Sequence, residues 1–194
     1  MSEQQGGTLD VSVAVRAIKR GEIVGVPTDT VYGLAVDLYD EAALERLYEL
    51  KGRHEGKPVA ILVSSLEQGL LLGAMSDRAL ELAELHWPGA VTLVVPRLDT
   101  APPWLGDPQR RTVALRCPDH QVALDLLSQA GPLAVSSANR SDGSPAKGAE
   151  EAEAIFGGEV LTYLPGDAGG GSPSTLVDLT QPSEVVLREG PVRL

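Results

Sequence analysis

Residues 112–139 read TVALRCPDHQVALDLLSQAGPLAVSSAN. The opening run is β-branched and apolar and predicts a strand over 112–116; a helix follows over 121–129 and a second strand over 133–136. Strand, helix and strand within so short a span indicate α/β layers. The second strand runs straight into Ser136, Ser137, Ala138, Asn139, Arg140, Ser141, Asp142, Gly143 and Ser144, a hydroxyl- and amide-rich segment. Ligands of open α/β sheets commonly bind at such strand ends.

The same alternation extends outward. Val11, Ala14, Val15 and Ile18 recur at helical spacing before Gly21, predicting a first helix with a glycine stop. A short apolar strand over 23–26 then meets the break Pro27-Thr28-Asp29-Thr30, and extended structure resumes over 31–36. Asp40 is placed to cap a helix that puts Leu44, Leu47, Tyr48 and Lys51 on one face and ends at Gly52. Residues 59–63 predict a strand, Ser65 and Ser76 cap two helices, and Trp87-Pro88-Gly89 breaks the pattern. A strand over 90–95 and a Pro-rich loop over 100–111 lead into the opening stretch. Beyond it come a helix over 148–156 and strands over 160–164, 175–179 and 184–188. A strand-rich last third predicts a mixed sheet: the fold class is α/β, a twisted open mixed sheet with flanking helices.

At 194 residues the chain fits a single domain over 1–194. Its hydrophobic fraction of 43% and charged fraction of 22% are those of a globular protein. The one cysteine, Cys117, excludes an internal disulfide and suits a reducing compartment. No leader-like segment and no membrane-length apolar run is present, so the expected setting is soluble and cytoplasmic. A formal net charge of -11 argues against broad adhesion to nucleic acid or anionic membrane. Phosphate must therefore be met by a local cluster of cations.

One such cluster is Lys51, Arg53 and Lys57, followed by Pro58. Arginine forks and mobile ammonium groups together suit a triphosphate; cations complementing a helix C-terminus and staying solvated are the other reading. For the run from Ser136 to Ser144, a cradle for phosphate or adenine edges stands against an ordinary polar turn. Residues 166–175, GDAGGGSPST, are either a flexible connection or a loop that moves over a ligand. Neither a GxxxxGK[ST] nor a GxGxxG fingerprint is present. His54, His86 and His120 lack metal-ligand spacing, no GxSxG elbow supports a Ser-His-Asp triad, and Cys117 reads as a buried thiol rather than a nucleophile. Nothing points to covalent catalysis.

Taken in order, Pro27-Thr28-Asp29-Thr30-Val31-Tyr32-Gly33-Leu34, Lys51-x-Arg53 with Lys57-Pro58, Arg116, Ser137-Ala138-Asn139, Ser174-Thr175-x-Val177-Asp178 and Leu187-Arg188-x-Gly190 resemble the YrdC-type threonylcarbamoyl-AMP synthases over nearly the whole chain. Two departures stand out: Leu62 where some relatives place a histidine near threonine, and Asp142 as an extra residue in the usual Asn-x-Ser-Gly turn. The resemblance implies a concave active-site face and the short form of the family, without the C-terminal domain of longer relatives. It also implies a reaction joining L-threonine, bicarbonate and ATP, with Mg2+ arriving on the nucleotide, for N6-threonylcarbamoyladenosine modification of tRNA. By the same resemblance Lys51 and Arg53 are the catalytic residues, acting with Lys57 on phosphates and the carbamate. Arg53, Lys57, Thr112, Ser137, Asn139 and Arg188 hold ATP, and Thr30, Tyr32, Arg116 and Ser174 hold threonine. A separate tRNA-modifying transferase complex would take the product. Carbamoyl transfer, as in related domains of hydrogenase-maturation proteins, and an RNA-binding module making weak RNA contacts are the alternatives; neither involves a membrane. The glycine-rich loop is expected to be a lid that carries Ser174 to threonine and excludes water.

Overall fold

The computed structural model describes residues 11–52, 58–140 and 143–194. Helix α1 spans Ser12–Ile18, strand β1 Val24–Val26, β2 Gly33–Asp37, α2 Glu41–Lys51 and β3 Ala60–Leu62. Two short helices follow, α3 Leu66–Leu70 and α4 Asp77–His86, then β4 Val91–Pro96, β5 Thr112–Arg116, α5 Gln121–Ala130 and β6 Leu133–Ser137. The last third holds α6 Ala149–Phe156, β7 Thr162–Tyr163, β8 Thr175–Asp178 and β9 Val185–Arg188.

Local chemistry sets the ends of these elements. Asp40, Ser65 and Ser76 each accept a backbone N–H from the third residue beyond, Ala43, Gln68 and Ala79, satisfying donors that a helix start leaves unpaired. Gly52, in the left-handed region, ends α2. Of the strand expected over 160–164 only Thr162–Tyr163 is regular; Val160 and Leu161 bend as the chain leaves a 3-10 turn over Gly157–Glu159.

Among the described residues the nine strands form one sheet in the order β7-β1-β2-β6-β3-β5-β4-β8-β9. It is mixed as expected: β1 with β7, β3 with β5 and β4 with β8 run parallel, and the other neighbours antiparallel. One face is covered by α2, α4 and α6, whose Leu47, Leu82 and Phe156 join Leu34, Ile61, Leu93 and Leu115 of the strands in the larger core. On the other face α1 and α5 lay Ala14, Ile18, Ala123 and Leu126 over Val24, Ala35 and Leu133. That cover stops short of β4, β5 and β8. No helix among the described residues is long and apolar enough to cross a membrane.

Candidate active site

Strand alternation decides which side chains meet beyond the edge of the α1/α5 cover. Gly33 pairs with Ser137 across β2 and β6, and Leu62 with Arg116 across β3 and β5. With the loop after β1 and the segment entering β8, they bound a cleft of about 160 Å³, open on one side, whose polar lining includes Thr30, Thr92, Arg116, Ser137, Ser174 and Arg188.

Arg116 is the anchor. It is 5% exposed, and its Nε donates to the Gly89 carbonyl at 2.9 Å, its Nη1 to Thr30 Oγ1 at 2.6 Å and its Nη2 to Asp29 Oδ1 as an ion pair. The same Asp29 oxygen accepts the Asp119 N–H at 3.0 Å. Burial pulls the Arg116 guanidinium below its ordinary pKa and the Asp29 charge works against that pull. An arginine starts so high that it stays a cation at neutral pH. Thr28 secures the neighbouring turn by donating to the Val31 carbonyl at 2.7 Å, with its oxygen 3.1 Å from that of Thr30.

Ser174 sits across the cleft. Arg188 Nε donates to its carbonyl at 3.0 Å and Nη2 to its hydroxyl at 3.2 Å, and Thr92 Oγ1 lies 2.7 Å from that hydroxyl. Gly190 lets the chain after β9 pass this close: a Cβ there would fall 2.3 Å from the Thr175 nitrogen and 2.6 Å from the Ser174 carbonyl carbon. The approach admits no side chain.

A third group lies where α2 ends against the turn after β6. Lys51 is 4% exposed; its Nζ donates to the carbonyls of Ser137 and of Asn139, the latter at 2.8 Å. Ser137 Oγ donates to Asn139 Oδ1 at 2.6 Å. Arg140 ties the same turn to α2 from outside, donating to the Leu50 carbonyl at 3.1 Å, pairing with Glu159 at 2.6 Å and lying over the Phe156 ring. Cations and hydroxyls thus converge with no nucleophile-base pair among them, an arrangement that can bind and neutralise an anionic substrate.

Residues 16–190 match the family model described as "Telomere recombination", the Sua5/YciO/YrdC model. The chain belongs to the Sua5/YciO/YrdC family. It is 46% identical over 184 residues to a protein of Mycobacterium tuberculosis, a match covering 92% of this chain and 83% of that one. It is 38% identical over 173 residues to the threonylcarbamoyl-AMP synthase of Chromohalobacter salexigens, covering 87% of this chain and 92% of that protein. The structure of Pyrococcus abyssi Sua5 complexed with L-threonine superposes with a TM-score of 0.86 at 34% identity over 92% of this chain. The chain spans about half of that Sua5, 53% of its length.

In this Sua5/YciO/YrdC chain the motif residues fall into distinct places. Thr30, Arg116, Ser137, Ser174 and Arg188 line the cleft, and Lys51 and Asn139 build the turn that carries Ser137. Arg53 and Lys57 lie outside the described residues, as does Asp142, whereas Leu62 lines the cleft. Tyr32 is fully buried, and its hydroxyl donates to the Leu164 carbonyl at 2.6 Å. Burial, and then neighbouring Tyr163, raise the phenol's pKa. Alternation explains the placement: Gly33 faces the cleft, so Tyr32 turns to the opposite face and joins the α2/α6 core. Its backbone still frames the site, accepting the Ala138 N–H at 2.8 Å and donating to the Ala146 carbonyl at 3.2 Å. Thr112 starts β5, on the same face as Arg116 but four residues, about 13 Å, along the strand.

The glycine-rich stretch is exposed to solvent and tied by its backbone to the turn after β1. Gly169 donates to the Thr28 carbonyl at 3.1 Å and Gly171 to the Thr30 carbonyl at 2.8 Å. A Cβ on Gly169 or Gly170 would meet the Asp29 carbonyl oxygen at 3.1 or 3.0 Å. Cys117 is buried, which pushes its thiol up to about 11. Asp29, Thr92 and the Gly89 carbonyl escaped the sequence reading. Asp29 lies inside the quoted Pro27–Leu34 motif and was open to inference; Thr92 stands in the apolar run VTLVV and sends no such signal.

Proposed function

We propose that the chain is a threonylcarbamoyl-AMP synthase acting as one catalytic unit. The observation that carries this reading is the cleft itself, in which the motif residues Thr30, Arg116, Ser174, Ser137 and Arg188 meet, in a chain 38% identical to a protein of that name. Threonine's amine attacks the carbon of bicarbonate and water leaves, giving a carbamate. A carbamate oxygen then attacks the α-phosphorus of ATP, the bond to the bridging oxygen breaks, and pyrophosphate departs. The product is the mixed anhydride threonylcarbamoyl-AMP.

Such chemistry rests on positioning and on charge stabilisation. Arg116, Thr30 and Ser174 hold threonine at the end of the cleft beyond β5, and Tyr32 contributes by fixing the turn between them. Ser137, Asn139 and Arg188 meet the nucleotide, which reaches toward Thr112 along the open face. Arg53, Lys57 and the turn organised by Lys51 neutralise the phosphates and the carbamate. Among the described residues no group of three His, Cys, Asp or Glu could hold a metal, so these residues offer Mg2+ no carboxylate cage of their own. An anhydride this labile calls for a transferase close at hand to pass the group to tRNA, and for a cytoplasmic setting.

The test is pyrophosphate release from ATP with threonine and bicarbonate omitted in turn. Release requires all three substrates; equal turnover without threonine contradicts the assignment.

A further inference from the structure

Within the apolar run of β4 a single hydroxyl, that of Thr92, faces the cleft. It is 2% exposed, and a hydroxyl buried in a central strand is costly unless hydrogen-bonded. Its partner is Ser174, with the two oxygens 2.7 Å apart and either able to donate.

The protons can be counted. Two hydroxyls carry two O–H protons, and the Arg188 N–H that meets Ser174 Oγ at 3.2 Å can only donate. One proton is therefore spent between Thr92 and Ser174, and one is left. The count is the same whichever way the 2.7 Å bond runs. Both side chains line the cleft beside Arg116, so the remaining proton is available to a ligand atom that accepts. A chain of donors starting at a guanidinium polarises each successive hydroxyl and strengthens the last one.

We propose that Thr92 is a specificity-determining residue, forming with Ser174 one unit that presents a single O–H donor to an acceptor oxygen of the amino-acid substrate. The proposal rests on the synthase reading. Arg188 acts through this unit as a positioning group, and Gly190 keeps its strand close enough to do so.

Thr92→Val keeps the branched shape and removes the donor. Its KM for threonine rises about tenfold, the usual size of a lost hydrogen bond to a charged or polarised partner, while its KM for ATP stays within about twofold of wild type. Thr92→Ser recovers most of the loss. Thr92→Ala, a second variant should the valine protein fail to fold, shows the same split between the two substrates. An unchanged threonine KM in Thr92→Val, an equal rise for ATP, or no recovery in Thr92→Ser overturns the proposal. Wild-type protein in the same assay separates the two levels: pyrophosphate release that ignores threonine overturns the synthase reading itself.

Discussion

One face of the sheet is divided into a roofed half and an open half. Under α1 and α5, strands β1, β2 and β6 present Val24, Val26, Ala35 and Leu133 to aliphatic partners. Beyond the roof, β4 and β5 turn Thr92 and Arg116 to the same side, and loops instead of helices supply their partners. A guanidinium under the roof would have met only aliphatic groups, at a large desolvation cost. The candidate site lies where helical packing stops and loop carbonyls, hydroxyls and one carboxylate take over.

The sharpest way to break this division is to truncate one residue in each half. Arg116→Ala removes the anchor of the open half and is expected to lower kcat/KM for threonine roughly a hundredfold or more. Leu126→Ala, in the roofed half, is expected to cost about 3 kcal/mol of stability while the folded fraction keeps its KM values. Denaturant titration beside steady-state kinetics checks both; a KM change in Leu126→Ala with no loss of stability would erase the distinction.

Tyr32 sharpens the boundary. If its phenol only ties β2 to the end of β7, Tyr32→Phe loses about 1 kcal/mol of stability and leaves the threonine KM near wild type. A large rise in threonine KM at undiminished stability would return the hydroxyl to the substrate.

The smallest effect belongs to the far end of the open half, where Arg110 pairs with Asp178 at 2.6 Å. Burial pushes the Asp178 carboxyl up, but the bonds from Arg110 and Thr180 outweigh it and leave a net lowering. A carboxyl lowered by folding contributes stability that is complete above its unfolded pKa of about 3.9 and is lost as pH falls through the folded value. Arg110 is half exposed, so Arg110→Ala is expected to cost on the order of 0.5 kcal/mol at pH 7 after screening. Urea melts of both proteins should begin to converge as the pH falls below about 4, whereas a gap that widens in acid would refute the sign.

Much of the frame was legible in the sequence because it is written locally. Asp40, Ser65 and Ser76 cap the helices expected of them, and Gly52 stops α2. The site was legible only in part. Thr30, Arg116 and Ser174 could be named from ordered motifs, yet Thr92 meets Ser174 through a parallel pairing of β4 with β8 across 82 residues, which no local pattern announces. The motif sets Tyr32 beside Thr30, whereas alternation from Gly33 places its side chain in the core. The glycines at 169 and 170 read as conformational freedom in the sequence, and in the fold they also leave room for the Asp29 backbone.

The most direct test of the division is amide hydrogen exchange with ATP and threonine added together. Protection should rise across residues 28–33, 90–94 and 166–176, which bound the open half, and stay unchanged in α1 and α5. Protection concentrated on α1 and α5, or none in the three segments while pyrophosphate is being released, would contradict the placement of the site.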